Sequence, residues 1–249
     1  MDRNKKIALL LVAALFAPMA AQAQSSDFGL WLSAGVEKKI NKKWSVGIDA
    51  DFRTRNDAQT VDRWDIGLNG EYKITDWLKI NGGYQLRYEN AREKLTYNTS
   101  GSYNNLRPSY WYIRHAVYAG LTGSVDIGRF TVSLRERWQY VYRPEKTTDR
   151  YDFDNEWWEE TTVKGKAKNV LRSRLRVEYN IPKCKIDPFA DVELFNKWSI
   201  QKVRYTVGAD WRITKKHSAS LFYRFQDNHS DSSEADNMHI IGAGYKFKF

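Results

Sequence analysis

The sequence predicts an all-β protein: an antiparallel transmembrane β-barrel of about 10–12 strands, with short periplasmic turns and longer extracellular loops. Three observations predict it. Apolar and polar residues alternate with period 2, again and again along the chain. The alternating segments run to about ten residues, matching the ~9–11 that a tilted strand needs to cross a bilayer, whereas strands in soluble sheets average about five or six. Tight turns alternate with longer polar connections. Composition agrees. Of 249 residues, 42% are apolar, 28% are charged and 14% are aromatic, a mix suited to sheets that are apolar on one face. It excludes helical spans in the mature chain, because no run of about 18 apolar residues occurs. A single Cys excludes a disulfide scaffold, and the aromatic content argues against disorder.

The first element is a leader. Asp2, Arg3, Lys5 and Lys6 give a basic start, Ile7 to Phe16 are apolar, Pro18 breaks the run, and Ala21-Gln22-Ala23 places small residues where a signal peptidase reads them. The expectation is a cleaved secretory signal peptide over 1–23 and one barrel domain over 24–249. No Cys follows the apolar run, so no lipid anchor is expected. The leader carries a net +2, so cleavage takes the formal charge from +10 to +8. Export places Cys184 in an oxidising compartment without an intrachain partner.

Eleven alternating segments follow, each with its apolar set on one face. The first places Phe28, Leu30, Leu32, Ala34 and Val36 together; the second, Trp44, Val46, Ile48, Ala50 and Phe52. The third carries Trp64, Ile66, Leu68 and Tyr72, and the fourth Leu78, Ile80, Tyr84, Leu86 and Tyr88. A fifth spans about 113–125. The sixth carries Phe130, Val132, Leu134, Trp138, Tyr140 and Tyr142, and the seventh Leu171, Leu175, Val177 and Tyr179. The eighth has Ile186, Ala190, Val192 and Leu194; the ninth, Val203, Tyr205, Val207, Ala209, Trp211 and Ile213. The tenth has Ala219, Leu221, Tyr223 and Phe225. The last ends Tyr245-Lys246-Phe247-Lys248-Phe249, and its alternate apolar residues resemble the terminal signal read by the outer-membrane assembly machinery.

Tight turns are expected at Asn41-Lys42-Lys43, Thr75-Asp76, Asp126-Ile127-Gly128 and Thr214-Lys215-Lys216, with a slightly longer one at 180–185. Long loops are expected at about 54–62, 90–110, 143–168, 196–202 and 227–237. Rings just after the turns, at Trp44, Trp77 and His217, would sit at headgroup level. Eleven segments conflict with the even strand number of single-chain bacterial barrels. One segment is therefore expected to lie outside the wall, or one more to hide near Tyr110-Trp111-Tyr112 or Trp157-Trp158.

The faces opposite the apolar ones define a candidate lumen. They gather Gly35, Gly47, Gly67, Gly83, Gly120, Gly208, Gly242 and Gly244, read as points of strand bending or as a small-residue belt around a ligand. They also segregate charge. Asp49, Asp51, Asp65 and Glu71 form an acidic sector, continued by Asp191 and Glu193. Arg135, Arg137, Arg143, Arg172, Arg174 and Arg176 form a basic sector on two adjacent strands. This charge is either a salt-bridge network filling a narrow lumen or an Arg-lined path for anions.

No catalytic constellation is expected. His115 and His217 fall on apolar faces, Ser218 and Ser220 offer no triad spacing, and His229, Asp231 and Glu234 read as a solvated loop. No cofactor or paired-Cys metal motif occurs. Basic residues are dispersed rather than gathered, which with export argues against nucleic acid. The expected partners are outer-membrane lipid, the barrel assembly machinery and a small anionic solute, with the chain as a monomer.

The segments Asp27-Phe28-Gly29-Leu30-Trp31-Leu32, Asn41-Lys42-Lys43-Trp44, Arg204-Tyr205-Thr206-Val207-Gly208, Lys215 to Phe225 and Met238 to the end resemble an uncharacterised outer-membrane β-barrel family known only as a domain of unknown function. The resemblance spans nearly the whole mature chain. It implies the fold and an outer-membrane location, and it supplies no catalytic residue. The expected role is non-enzymatic: a narrow channel, a surface-binding protein or an envelope scaffold. The alternatives are a lipid-modifying barrel enzyme, a hydrolase or acyltransferase, and an exported soluble barrel that binds a ligand.

Overall fold

The computed structural model describes residues 26–229 and 237–249; the expected leader lies outside them. The strands, in chain order, are β1 (Ser26–Lys39), β2 (Trp44–Arg55), β3 (Thr60–Lys73), β4 (Leu78–Ala91), β5 (Lys94–Tyr97), β6 (Tyr103–Arg107), β7 (Tyr110–Ile127), β8 (Phe130–Arg143), β9 (Lys146–Asp152), β10 (Trp157–Val163), β11 (Lys166–Tyr179), β12 (Ile186–Asn196), β13 (Ile200–Arg212), β14 (His217–Asn228) and β15 (Asn237–Lys248). Eleven of them close a barrel in the order β1-β15-β14-β13-β12-β11-β8-β7-β4-β3-β2. The remaining four form a separate sheet, β10-β9-β6-β5.

The wall is inside out relative to a soluble sheet. Ile66 and Leu134 are 54% and 52% exposed, while Asp65, next to Ile66, is 5% exposed. Because successive side chains on a strand point to opposite faces, the period-2 pattern sends the apolar set outward and the charged set inward. On β2 the outward band runs from Trp44 to Phe52. Its nine residues of tilted strand give it about 20 Å of height, close to the lipid-facing band of a transmembrane barrel. Rings border it at both ends: Trp44 packs on Tyr72 with centroids 4.7 Å apart, and Phe52 on Trp64 at 4.6 Å.

The tight turns have a local cause. The Asn41 side-chain oxygen accepts hydrogen bonds from the backbone N–H of Lys43 and Trp44, each at 2.8 Å. The Thr75 hydroxyl accepts from Leu78 at 3.0 Å, and the Thr214 hydroxyl from Lys216 and His217 at 3.1 and 3.0 Å. An Asn or Thr at the turn's first position thus satisfies backbone donors that the ladder leaves free. Gly128, at φ 63°, lets the β7–β8 turn adopt the left-handed region.

Three expectations are corrected. The strand count stays odd. No wall strand was missed and none is surplus among the described residues, so β1 and β15 run in the same direction and pair in parallel, from Ser26 opposite Asn237 to Glu37 opposite Lys248. Alternating directions around an odd ring leave no other pairing for the first and last strands, and odd-stranded barrels exist elsewhere. The connections expected at 54–62 and 196–202 shrink to 56–59 and 197–199, because polar residues at the strand ends still pair: Arg55 faces Thr60 and Asn196 faces Ile200. The 90–110 and 143–168 loops do hold strands, but these build the separate sheet, joined where Asn105 and Leu106 of β6 meet Asp152 and Tyr151 of β9.

Candidate functional site in the barrel interior

The interior is organised by β8 and β11, which pair so that Arg137 lies opposite Arg172 and Arg135 opposite Arg174. Alternation sends all four inward, together with Arg176. β12 then brings Glu193 opposite Arg174, and β13 brings Arg204 opposite Glu193. Glu193 is 3% exposed. It accepts from Arg135 at 2.5 Å and from Arg172 at 2.9 and 3.0 Å, and it lies 3.6 Å from Arg204. One carboxylate therefore serves three guanidiniums. Arg176 donates to Asp210 at 2.5 Å and to Glu178 at 3.0 Å. Asp191 is buried opposite Arg176 and Thr206. The Arg137 guanidinium lies over the Tyr118 ring, 4.1 Å from its centroid. Neither Arg137 nor Arg174 forms an ion pair among the described residues.

The acidic sector on β2 and β3 is a mixed lattice instead. Asp51 lies 3.9 Å from Arg53, Asp65 2.9 Å from Arg63, and Glu71 2.9 Å from Lys79. Asp49 accepts from Asn69 at 2.5 Å. Arg63 also reaches Glu89 at 3.5 Å, and Glu89 accepts from Arg114 at 3.0 Å and from the Tyr112 hydroxyl at 3.0 Å. Buried carboxylates are tolerated when paired, and the partners here come from the inward faces of β2, β3, β4 and β7. Asp191 and Glu193 do not extend this sector; they belong with the basic strands.

The largest interior group that sequence reasoning missed is Trp31. Its neighbours Leu30 and Leu32 face outward, so it faces inward and is 8% exposed. It packs with Met238, Ile240 and Phe222 behind the parallel seam. Arg53, Arg204 and Arg224 lie 4.0, 4.8 and 5.2 Å from its ring. A Trp on the glycine-lined face was the available signal. Several of those glycines make room for rings rather than for a ligand. A Cβ on Gly208 would lie 2.7 Å from both Phe189 and Phe222, and one on Gly242 would strike Phe222.

The remaining predicted residues lie on the outer face or at the rims. Tyr245 and Phe249 are exposed at the short-turn rim, and Phe247 stacks on Phe249 with centroids 5.7 Å apart. His115 is hydrogen-bonded to Tyr84 at 2.7 Å, His217 to Tyr245 at 2.6 Å and His239 to Tyr223 at 2.6 Å. Each pair satisfies an imidazole on the wall face. Ser218 and Ser220 point to the opposite face from His217. His229 lies 3.5 Å from Asp227, while Asp231 and Glu234 fall outside the described residues. Among the described residues, no group of three or more His, Cys, Asp or Glu could hold a metal ion.

The model of a protein family described as "Protein of unknown function (DUF2490)" matches residues 28–238. The chain belongs to this family. No curated protein matches it. Among solved structures, this DUF2490 chain is similar to the translocator domain of the autotransporter NalP from Neisseria meningitidis, at 11% identity, 98% and 95% coverage of the two chains, and TM-score 0.60. It is also similar to the β domain of the Bordetella autotransporter BrkA, at 14% identity, 83% coverage of each chain and TM-score 0.53. Both likenesses show the outer-membrane barrel fold.

Proposed function

We propose that this DUF2490 protein is a narrow channel of the outer membrane that favours anions. One observation carries the reading: the interior holds cations in excess of their carboxylate partners, most plainly Arg137 and Arg174 beside a Glu193 already shared by three arginines. A charged ring of one sign selects ions of the other. Eleven strands fall between small barrels filled by side chains and large open porins, so passage is narrow and dominated by wall charge. The apolar outer band, with exposed Tyr245 and Phe249 and half-buried Phe247 at its end, suits residence in lipid and handling by the assembly machinery as a monomer.

Two measurements test this. The protein should fractionate with the outer membrane and migrate faster unboiled than boiled. In planar bilayers under a salt gradient, the reversal potential should have the sign of anion preference, and Arg135→Ala, Arg137→Ala and Arg174→Ala together should abolish that preference. A silent or cation-selective barrel refutes the reading. The surface-binding role is favoured by a separate observation: Tyr97, Tyr103, Phe153, Tyr151 and Trp158 form a chain of ring contacts 5.0–5.5 Å apart across the loop sheet. An enzymatic role finds less support, since each wall histidine is held by a tyrosine. Fatty-acid release from labelled lipid, lost in His115→Ala or His217→Ala, would restore it.

A further inference from the structure

Most interior arginines spend their charge on a carboxylate. Arg137 does not: its guanidinium sits over the Tyr118 ring, which holds it without neutralising it. Two residues along the same face of β8 is Gln139, 4% exposed. Its side-chain oxygen accepts from Arg172 at 3.4 Å, which turns its amide nitrogen away; that nitrogen is buried and has no partner. The Nε atoms of Arg137 and Arg172 are likewise buried without partners. Arg172 lies opposite Arg137 in the ladder and is itself stacked on Phe195 at 4.6 Å. Lys202 approaches the same ring at 5.1 Å and forms no ion pair among the described residues. Three strands therefore bring hydrogen-bond donors and positive charge to one level of the lumen. The carboxylate nearest in the lattice, Glu193, is already occupied by Arg135 and Arg172.

Leaving a buried donor unsatisfied is costly, and each such group calls for a partner. An oxyanion is the partner that fits here: it accepts from the Gln139 amide N–H and from the Nε–H groups still free on Arg137 and Arg172, and it supplies the negative charge that Arg137 lacks. We propose that Arg137, Gln139 and Arg172 form a binding site for one oxyanion group, a carboxylate or a phosphate, carried by the solute that passes through the barrel. The site rests on the channel reading for its solute, but its binding can be measured without conduction.

The test uses the full chain folded in detergent micelles, titrated calorimetrically with inorganic phosphate, with acetate and with choline as a cation control, beside chloride conductance in bilayers. Saturable binding of phosphate or acetate but not choline is expected, and the tighter of the two identifies the group the solute carries. Gln139→Leu should weaken binding about 10-fold and Arg137→Met about 100-fold, as loss of neutral and charged hydrogen bonds requires. Heat-modifiable migration certifies that both variants fold. Binding that survives in a barrel that conducts nothing upholds the site and sinks the channel. Anion conduction without saturable binding, or wild-type affinity in both folded variants, overturns the site and leaves the channel standing.

Discussion

Replacing Glu193 by Gln keeps the side chain's shape and removes its charge. In the native barrel that carboxylate receives Arg135 at 2.5 Å, receives Arg172 through both oxygens, and faces Arg204 at 3.6 Å. The change leaves three guanidiniums crowded at one level with no shared counter-ion. Removing one partner of a buried ion pair costs about 3–5 kcal/mol when water does not compensate. Glu193 is 3% exposed, so most of that cost should appear. The assay is equilibrium urea unfolding of the barrel in lipid vesicles. It needs Arg172→Met and the double variant to form a cycle, because contacting residues couple by about 0.5–3 kcal/mol. The expected result is a strongly destabilised Glu193→Gln and a smaller cost of Arg172→Met in its background. If Glu193→Gln unfolds within about 0.5 kcal/mol of the native protein, lumen water already screens these charges and the lattice is not what holds this wall sector.

Three further outcomes follow from the same geometry. Gly208→Ala should cost about 1–3 kcal/mol by overpacking, because its Cβ would lie 2.6 Å from the Leu221 carbonyl as well as against Phe189 and Phe222; an unchanged urea midpoint would show that the rings shift freely. Leu175→Arg, on the exposed face opposite Leu134, should cost about 2–4 kcal/mol in vesicles, and a neutral result would mean that this face does not meet hydrocarbon. In the β9–β10 turn, the Asn155 side chain and the backbone N–H groups of Asn155 and Asp154 hold the Asp152 carboxyl below its ordinary range. A lowered carboxylate stabilises the fold above its unfolded pKa and loses that contribution as pH falls through the folded value. Protection factors of loop-sheet amides, taken relative to the intrinsic exchange rate at each pH, should therefore fall on acidification through that range, and Asp152→Asn should flatten the response.

How much of this was legible in the sequence follows from how far apart the cooperating residues lie. The outward faces and tight turns depend on neighbours within a strand or hairpin, so Val46-Gly47-Ile48-Asp49 and the Asn41 and Thr214 turns declare themselves locally. The adjacency of β8 and β11 is legible from their order as consecutive wall segments, and the register sets Arg137 opposite Arg172. The loop sheet escaped because β5 and β6 are four and five residues long, too short to show a period. The mixed lattice escaped for another reason. Sorted by sign alone, the acids of β2 and β3 form one group, and their partners Arg53, Arg63 and Lys79 on the inward faces of β2, β3 and β4 fall outside it. Trp31 was hidden by its flanking leucines, whose outward parity dictates that it points in.

The parallel seam joins these points. A parallel ladder is slightly less stable per residue than an antiparallel one, and here it must close the whole wall. Its reinforcement is visible at the rim and in the interior. At the short-turn rim, Lys246 reaches Glu37 at 2.7 Å, and the Phe249 N–H donates to the Glu37 carbonyl at 3.0 Å. Inside, Trp31 fills the seam with Met238 and Ile240 and is capped by arginines from β2, β13 and β14. Those arginines are also part of the lumen's cation excess, and Arg204 in turn faces Glu193. Closure of the barrel and the charge of its interior therefore share residues. Neutralising the lumen at Arg204 would loosen the seam, whereas Arg137, on a strand separated from β1 by four others, can be neutralised without touching closure.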